Sequence, residues 1–208
     1  MSANFKMLAK TFYGFEDLLE NELKQLGAQE VEKGNRVVSF KGDKGFMYKA
    51  NLSLRTALKI LVPIYHCRVN SEHDLYQAAY DYPWENHFSV NETIAIDSVV
   101  FGETFTHSLY VSQKVKDAIA DSFRAKTGQR PSVNLKYPDV RINVHIDQNQ
   151  CSFSLDSSGA SLHHRGYRTA TNIAPLNEVL AAGLILLSGW DQRTDFLDPM
   201  CGSGTIPI

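Results

Sequence analysis

The chain has 208 residues, of which 43% are apolar and 21% are charged, so its composition is globular and excludes a disordered or fibrous protein. The longest apolar run, residues 179–187, is too short to cross a bilayer, and the N-terminus lacks a signal-peptide pattern. Three cysteines at unrelated spacings form neither a disulfide framework nor a zinc pattern. We therefore expect a cytoplasmic protein with no membrane and no metal among its partners.

The charge of the chain is unevenly distributed. The formal net charge is −2, yet the segment from Thr104 to Arg141 carries seven basic and three acidic residues. A locally basic segment on a mildly acidic chain is typical of a protein that contacts phosphates with one face. A solvated helix face is the alternative, and charge alone leaves both open. The candidate phosphate contacts are Lys114, Lys116, Arg124, Lys126, Arg130 and Arg141.

The first 69 residues predict a small α+β unit. Alternating or β-rich runs predict strands over residues 5–11 and 59–69, with a hairpin over 31–41 between them. Leucines at helical spacing predict a helix that ends at Gly27, and Asp43 caps a second helix. The resulting βαββαβ order suggests a ferredoxin-like sheet.

A second α+β unit is predicted from residue 70 onward. Ser71 caps a helix that stops at Pro83, and a strand follows over residues 93–101. A long helix from Ser108 ends at Gly128, with its basic residues off the apolar stripe. Residues 140–147 and 151–156 then predict a hairpin that completes the unit.

The last segment is different in kind. Residues 157–168 are rich in Ser, Gly, His and Arg and predict a connecting loop. Pro175 is expected in the first turn of a helix that runs to Leu187, with Thr171 or Asn172 as its cap. A short strand is predicted over residues 194–197, directly before a glycine-containing motif.

That motif carries the chemistry. It consists of Asp198, Pro199, Met200, Cys201, Gly202, Ser203, Gly204 and Thr205. Glycines after a strand allow backbone to approach a cofactor closely, because no Cβ intervenes. The pattern lacks the lysine of a P-loop, and Pro207 occupies the last glycine position of a dinucleotide-binding fingerprint. It resembles the first S-adenosylmethionine motif of amino-group methyltransferases that act on nucleic acid.

The resemblance extends beyond the motif. Residues 156–159, 164–168 and 174–178 resemble the junction of the THUMP-containing RNA guanine methyltransferases, in the branch that modifies bacterial large-subunit ribosomal RNA. It implies S-adenosylmethionine as cofactor, ribosomal RNA as partner, and methylation of a guanine 2-amino group. It also implies that Gly202 and Gly204 face the methionine part of the cofactor, that Asp198 ends a strand and that Thr205 starts a helix.

The fold class implied is α+β, followed by the start of an α/β methyltransferase domain. The expected division is a ferredoxin-like domain over 1–69, a THUMP RNA-binding domain over 70–156, a linker over 157–172 and a truncated Rossmann-like domain over 173–208. The family's base-binding Asn-Pro-Pro-Tyr motif does not occur in these 208 residues. Because a flipped base needs stacking and hydrogen-bonding partners, we expect this chain alone to be inactive.

Alternative interpretations remain. The motif also fits an adenine-specific DNA methyltransferase, and the chain on its own fits an RNA-binding adaptor. Arg165 and Arg168 either pack the junction or contact RNA or cofactor. His163 and His164 lack a carboxylate or thiolate that would complete a tetrahedral metal site.

Overall fold

The structure is a computed structural model that describes residues 3–166 and 175–207. The chain divides into two compact units, one of Met1–Ile60 with Ala160–Ile208, the other of Leu61–Gly159. Both units mix helices with strands. Among the described residues, no helix is both long and apolar enough to cross a membrane.

The first unit has the predicted βαββαβ order. Its elements are β1 (Phe5–Lys10), α1 (Glu16–Leu26), β2 (Gln29–Gly34), β3 (Val37–Gly42), α2 (Lys44–Ser53) and the start of β4 (Lys59–Arg68). β3 pairs antiparallel with both β1 and β2. The predicted caps are confirmed: Gly27 ends α1 at φ 97°, and the Asp43 carboxylate accepts from the Phe46 amide.

Alternation along the strands builds the core of this unit. Met7 and Ala9 on β1, and Val38 and Phe40 on β3, are fully buried or nearly so. Glu22 of α1 is also buried, and its carboxylate accepts from the backbone amide and hydroxyl of Thr56 at 3.0 and 2.6 Å and from Arg55 Nε at 2.8 Å. The charge is thus compensated by hydrogen bonds.

The helix near the C-terminus begins later than predicted. α5 spans Glu178–Leu187, and Asn177 is its cap because its side-chain oxygen accepts from the amides of Val179 and Leu180. The prediction that placed Pro175 in the first turn was therefore wrong. The other predicted caps, Thr171 and Asn172, lie outside the described residues.

The predicted strand over residues 194–197 is not formed. A strand needs a neighbouring strand to satisfy its amides and carbonyls, and none of the described strands lies beside this segment. The backbone there is irregular and runs into a series of turns over residues 202–207.

The second unit is a four-stranded mixed sheet with helices. It contains α3 (Glu72–Asp81), a 3₁₀ turn (Trp84–Asn86), β5 (Ile94–Phe101), α4 (Ser108–Thr127), β6 (Val140–Asp147) and β7 (Gln150–Asp156). The strand order is β4-β7-β6-β5, with β5 and β6 parallel and the other pairs antiparallel. The predicted Ser71 cap is confirmed, since its hydroxyl accepts from the Asp74 amide.

α4 packs with the face that its periodicity predicts. Val111, Val115, Ile119 and Phe123 are buried in the same apolar cluster as Trp84 and the β6 strand. The basic residues of α4 lie off this stripe, as expected. The packing therefore fixes which face of α4 meets water.

Candidate cofactor motif and nucleic-acid surface

The Asp198–Thr205 motif forms a compact turn. The Met200 amide donates to Asp198 Oδ1 at 3.1 Å, and the Gly204 amide donates to the Cys201 carbonyl at 2.8 Å. Gly202 and Gly204 have φ values of 55° and 75°. A Cβ at Gly202 would meet nothing closer than 4.0 Å, so the backbone conformation rather than crowding favours glycine there.

A shallow pocket lies over this turn. Its volume is about 260 Å³, and its lining includes Leu176, Asp198, Ser203 and Thr205. The pocket offers a carboxylate, a hydroxyl and open backbone beside the glycines. Such groups can hold the amino-acid part of a small polar ligand.

Two details of the motif differ from what the resemblance implied. Asp198 ends no strand, because the preceding residues are irregular. Thr205 starts no helix, since residues 202–207 form turns, although its side chain is buried. The strand would need a neighbouring strand, and none of the described strands pairs with residues 194–197.

Ion pairs already engage most basic residues predicted as phosphate contacts. Their partners lie 2.8 to 3.2 Å away: Asp117 for Lys116, Asp121 for Arg124, Glu85 for Lys126, and Asp97 for Arg141. Surface pairs of this kind contribute at most ~1 kcal/mol, so they can open for a phosphate, but they reduce the local positive charge.

Arg141 is the most enclosed of these residues. Its guanidinium donates to Asp97 at 3.2 Å and to the Leu135 carbonyl at 3.0 Å, and only 17% of its side chain is exposed. It therefore holds the segment before β6 in place. The remaining exposure leaves little of the guanidinium for a phosphate.

Lys114 lies over an aromatic ring. Its ammonium is 5.6 Å from the ring centroid of Tyr76, whose hydroxyl donates to Asp121 at 2.8 Å. That hydrogen bond, with some desolvation, raises the pKa of Tyr76 to about 12. Lys114 makes no ion pair within residues 3–166 and 175–207.

Arg130 and Lys136 are the other basic side chains here that make no ion pair in the described part of the chain. Arg130 lines a pocket of about 410 Å³ with Lys116 and Val133. Lys136 was absent from the predicted contacts. The signal that could have identified it is its position between the apolar residues Leu135 and Tyr137, which lie in a loop and are exposed.

Arg165 is engaged within the first unit. Its guanidinium donates to the carbonyls of Asn51 and Leu52 at 3.0 and 3.3 Å and also to that of Leu54, and its amide donates to Glu178 at 3.1 Å. This geometry corresponds to the junction-packing alternative. Arg168 lies outside the described residues.

Among residues 3–166 and 175–207, no three His, Cys, Asp or Glu side chains are grouped as metal ligands. The cysteines hold a contact that spacing did not predict. Cys67 and Cys151 are directly opposite each other on β4 and β7, and their thiols are hydrogen-bonded. Cross-strand register, which sequence spacing does not reveal, brings them together.

Three protein families match successive parts of the chain. They are the RlmL ferredoxin-like domain over residues 6–61, the THUMP domain over 69–156, and the RMKL-like methyltransferase domain over 165–208. The matches leave only short gaps between them.

Two curated relatives, from Syntrophotalea carbinolica and Desulfotalea psychrophila, carry the name Ribosomal RNA large subunit methyltransferase K/L. Each is 42% identical to this chain, and the two matches cover 100% and 98% of this chain. The chain covers 30% and 29% of these relatives, so it spans under a third of their length.

Solved structures match over nearly the whole chain. A Listeria monocytogenes protein described as a predicted N6-adenine-specific DNA methylase has a TM-score of 0.83, and SMU.472, a methyltransferase complexed with SAH, has 0.81. Both are 29% identical, and the match covers 99% of this chain and 54% of each structure. In chain order, the protein is therefore similar to the RlmL ferredoxin-like domain, the THUMP domain and the RMKL-like methyltransferase domain.

Proposed function

We propose that this chain is the RNA-docking front and the first cofactor motif of an S-adenosylmethionine-dependent methyltransferase of large-subunit ribosomal RNA. The observation that carries the proposal is the 42% identity to two relatives of that name over essentially every residue of the chain. The complex of SMU.472 with SAH, the product of S-adenosylmethionine, supports the choice of cofactor.

The motif residues fit part of this cofactor. S-adenosylmethionine, when bound, supplies an electrophilic methyl group on a sulfonium. The pocket of about 260 Å³ is smaller than the ~300 to 1,000 Å³ typical of complete ligand sites, so it would take the methionine part. The Gly202 and Gly204 backbone would allow close approach. The Asp198 carboxylate would accept a hydrogen bond from the amino-acid group of the cofactor, and the Ser203 hydroxyl would accept or donate one.

The second unit is assigned to RNA docking. Residues 69–156 match the THUMP domain, and Lys114, Arg130 and Lys136 present cations without an acidic partner in the described structure. Contacts to phosphates and to RNA shape position a structured RNA without reading most of its sequence. The expected specificity is therefore for folded RNA over duplex DNA.

A titration tests this docking role. The chain would be added to a labelled ribosomal RNA hairpin and to a DNA duplex of equal length, each at 50 and 200 mM salt. We expect tighter and strongly salt-dependent binding to the RNA, because released counterions favour each phosphate contact. Equally weak binding to both nucleic acids would contradict the proposed RNA-docking role.

The proposed methyl acceptor is the 2-amino group of a guanine, as the family resemblance implies. The chain contains no Asn-Pro-Pro sequence to bind a flipped base, so we propose that these 208 residues alone transfer no methyl group. Incubation with radiolabelled S-adenosylmethionine and ribosomal RNA should leave the RNA unlabelled. Labelled guanine in digested RNA would contradict the proposed inactivity.

Adenine methylation of DNA is the second candidate, since the Listeria protein of similar structure is described as a DNA methylase. A competition assay separates the two. Unlabelled ribosomal RNA should displace a bound RNA probe at a concentration at which duplex DNA does not. The opposite order of competitors would favour the DNA enzyme.

A further inference from the structure

The loop between α4 and β6 is held in one conformation by hydrogen bonds. The Ile94 amide donates to the Ser132 carbonyl at 2.9 Å, and the Asn134 amide donates back to the Ile94 carbonyl at 3.1 Å. The Asn134 side chain accepts from the amides of Lys136 and Tyr137 at 3.2 and 3.0 Å. Together with the bond from Arg141 to the Leu135 carbonyl, these contacts fix the loop at several points.

This rigid loop presents apolar side chains to water. Leu135 and Tyr137 are each 74% exposed, and Val133 is 48% exposed. An aromatic ring on an ordered backbone loses little conformational entropy when a partner stacks on it. The loop thus offers an ordered surface with an exposed aromatic ring and exposed aliphatic side chains.

Two basic side chains lie beside the same surface. The Lys136 ammonium is 5.2 Å from the Tyr137 ring centroid, and Arg130 lines the adjacent pocket of about 410 Å³. Neither cation has an acidic partner in the described residues, whereas Lys116 in that pocket is paired with Asp117. A partner that carries both a flat ring and a negative charge complements this arrangement.

We propose that the Arg130–Tyr137 loop binds an unpaired nucleotide of RNA, with its base stacked on Tyr137 and its phosphates at Arg130 and Lys136. A nucleotide in a loop or bulge has an accessible base face, while a base in a helix does not. Aromatic stacking of this kind is worth about 1 to 3 kcal/mol for each base. The proposal rests on the RNA-docking function above, since it names the part of the RNA that this unit contacts.

Anisotropy titrations test the stacking contact. The probes are a labelled single-stranded octaribonucleotide of mixed sequence and a blunt RNA duplex. Tyr137→Ala should weaken binding of the single strand about 10-fold and leave the duplex within about 2-fold, and Tyr137→Phe should retain most of the affinity. Tyr13→Ala is the matched control, because Tyr13 is 75% exposed but lies in the other unit.

A second variant tests the phosphate contacts. The double change Arg130→Ala with Lys136→Ala should lower the salt dependence of single-strand binding by about one to two units of slope, since each phosphate contact contributes ~0.7. Lys126→Ala, which removes a cation already paired with Glu85, should change the slope less.

The outcomes separate this inference from the docking function. If the chain binds RNA but Tyr137→Ala and Tyr13→Ala behave alike, the loop site is wrong and the docking function stands. If no RNA binds at either salt concentration, both fail. If wild type sediments as a dimer that Tyr137→Ala dissociates, a second copy occupies the loop and the inference is overturned.

Discussion

The thiols of Cys67 and Cys151 show how a single contact changes residue chemistry. The hydrogen bond from Cys151 lowers the pKa of Cys67, because it stabilises the thiolate. The same hydrogen bond and burial raise the pKa of Cys151. Cys67 is half-buried and Cys151 is buried, so access and charge both favour reaction at Cys67.

Alkylation should therefore discriminate between these cysteines. In a Cys201→Ser variant, which removes the exposed third thiol, iodoacetamide should label Cys67 well before Cys151, as measured by mass spectrometry. Because the Cys67 pKa is lowered, its labelling should begin at a lower pH than that of an ordinary cysteine. Cys151→Ala should shift the onset to higher pH. Equal labelling of both thiols would contradict this assignment.

At the scale of elements, Arg165 joins a loop to the end of a helix. The last carbonyls of α2 have no intrahelical partners, and the Arg165 guanidinium donates to carbonyls at and beyond this end. Sequence alone left this arginine as either a junction residue or a contact to RNA or cofactor. The three carbonyl acceptors favour a role in packing.

Replacement of Arg165 should reveal that role as a loss of stability. Arg165→Ala should lower the free energy of unfolding by about 1.5 to 3 kcal/mol, as charged hydrogen bonds are lost. Arg165→Lys should retain only part of the free energy of unfolding that Arg165→Ala loses, because an ammonium lacks the planar set of donors of a guanidinium. The exposed Arg193 provides the matched control, Arg193→Ala. Urea unfolding measures all three, and weaker RNA binding without a stability change would contradict the packing role.

Gly183 allows α5 to pack closely against Phe15, the residue that precedes α1. A Cβ at Gly183 would lie 2.0 Å from a ring carbon of Phe15, which is itself buried. Gly183→Ala should therefore destabilise the protein by about 1 to 3 kcal/mol, although alanine favours helix, because the ring must move. Leu184→Ala at the exposed neighbouring position is the control. An increase in melting temperature for Gly183→Ala would contradict the close packing.

At the scale of the whole molecule, apolar side chains are exposed near the C-terminus. Leu184, Leu187, Leu197 and Met200 are between 45% and 89% exposed, and α5 is almost wholly apolar. Exposed apolar area of this kind favours association, since water is released when it is covered.

Self-association of the chain should therefore depend on concentration. Sedimentation velocity should show oligomers that grow with concentration, and Leu184→Lys with Leu187→Lys should shift the population toward monomer. Leu109→Lys on α4, at a more exposed site in the other unit, should leave the distribution unchanged. A wild-type chain that stays monomeric at high concentration would contradict this prediction.

Local sequence patterns predicted most elements of the fold. The apolar spacing of α4 identified its buried face, and Asp43 and Ser71 were identified as caps, because helix periodicity and capping involve residues only a few positions apart. The prediction of a strand over 194–197 was wrong, because a strand forms only when it pairs with another strand, which local sequence does not reveal. The four-part domain division and the cofactor and RNA contacts stay predictions.

The sequence by itself determined the βαββαβ order, the glycine-containing motif and the location of the basic segment. Only the tertiary structure decided which cations are free. Lys126 meets Glu85 and Arg141 meets Asp97 across more than forty residues, whereas Arg130 and Lys136 meet no carboxylate in the described chain. Secondary structure follows from near neighbours, but charge pairing follows from distance in space, which only the folded chain defines.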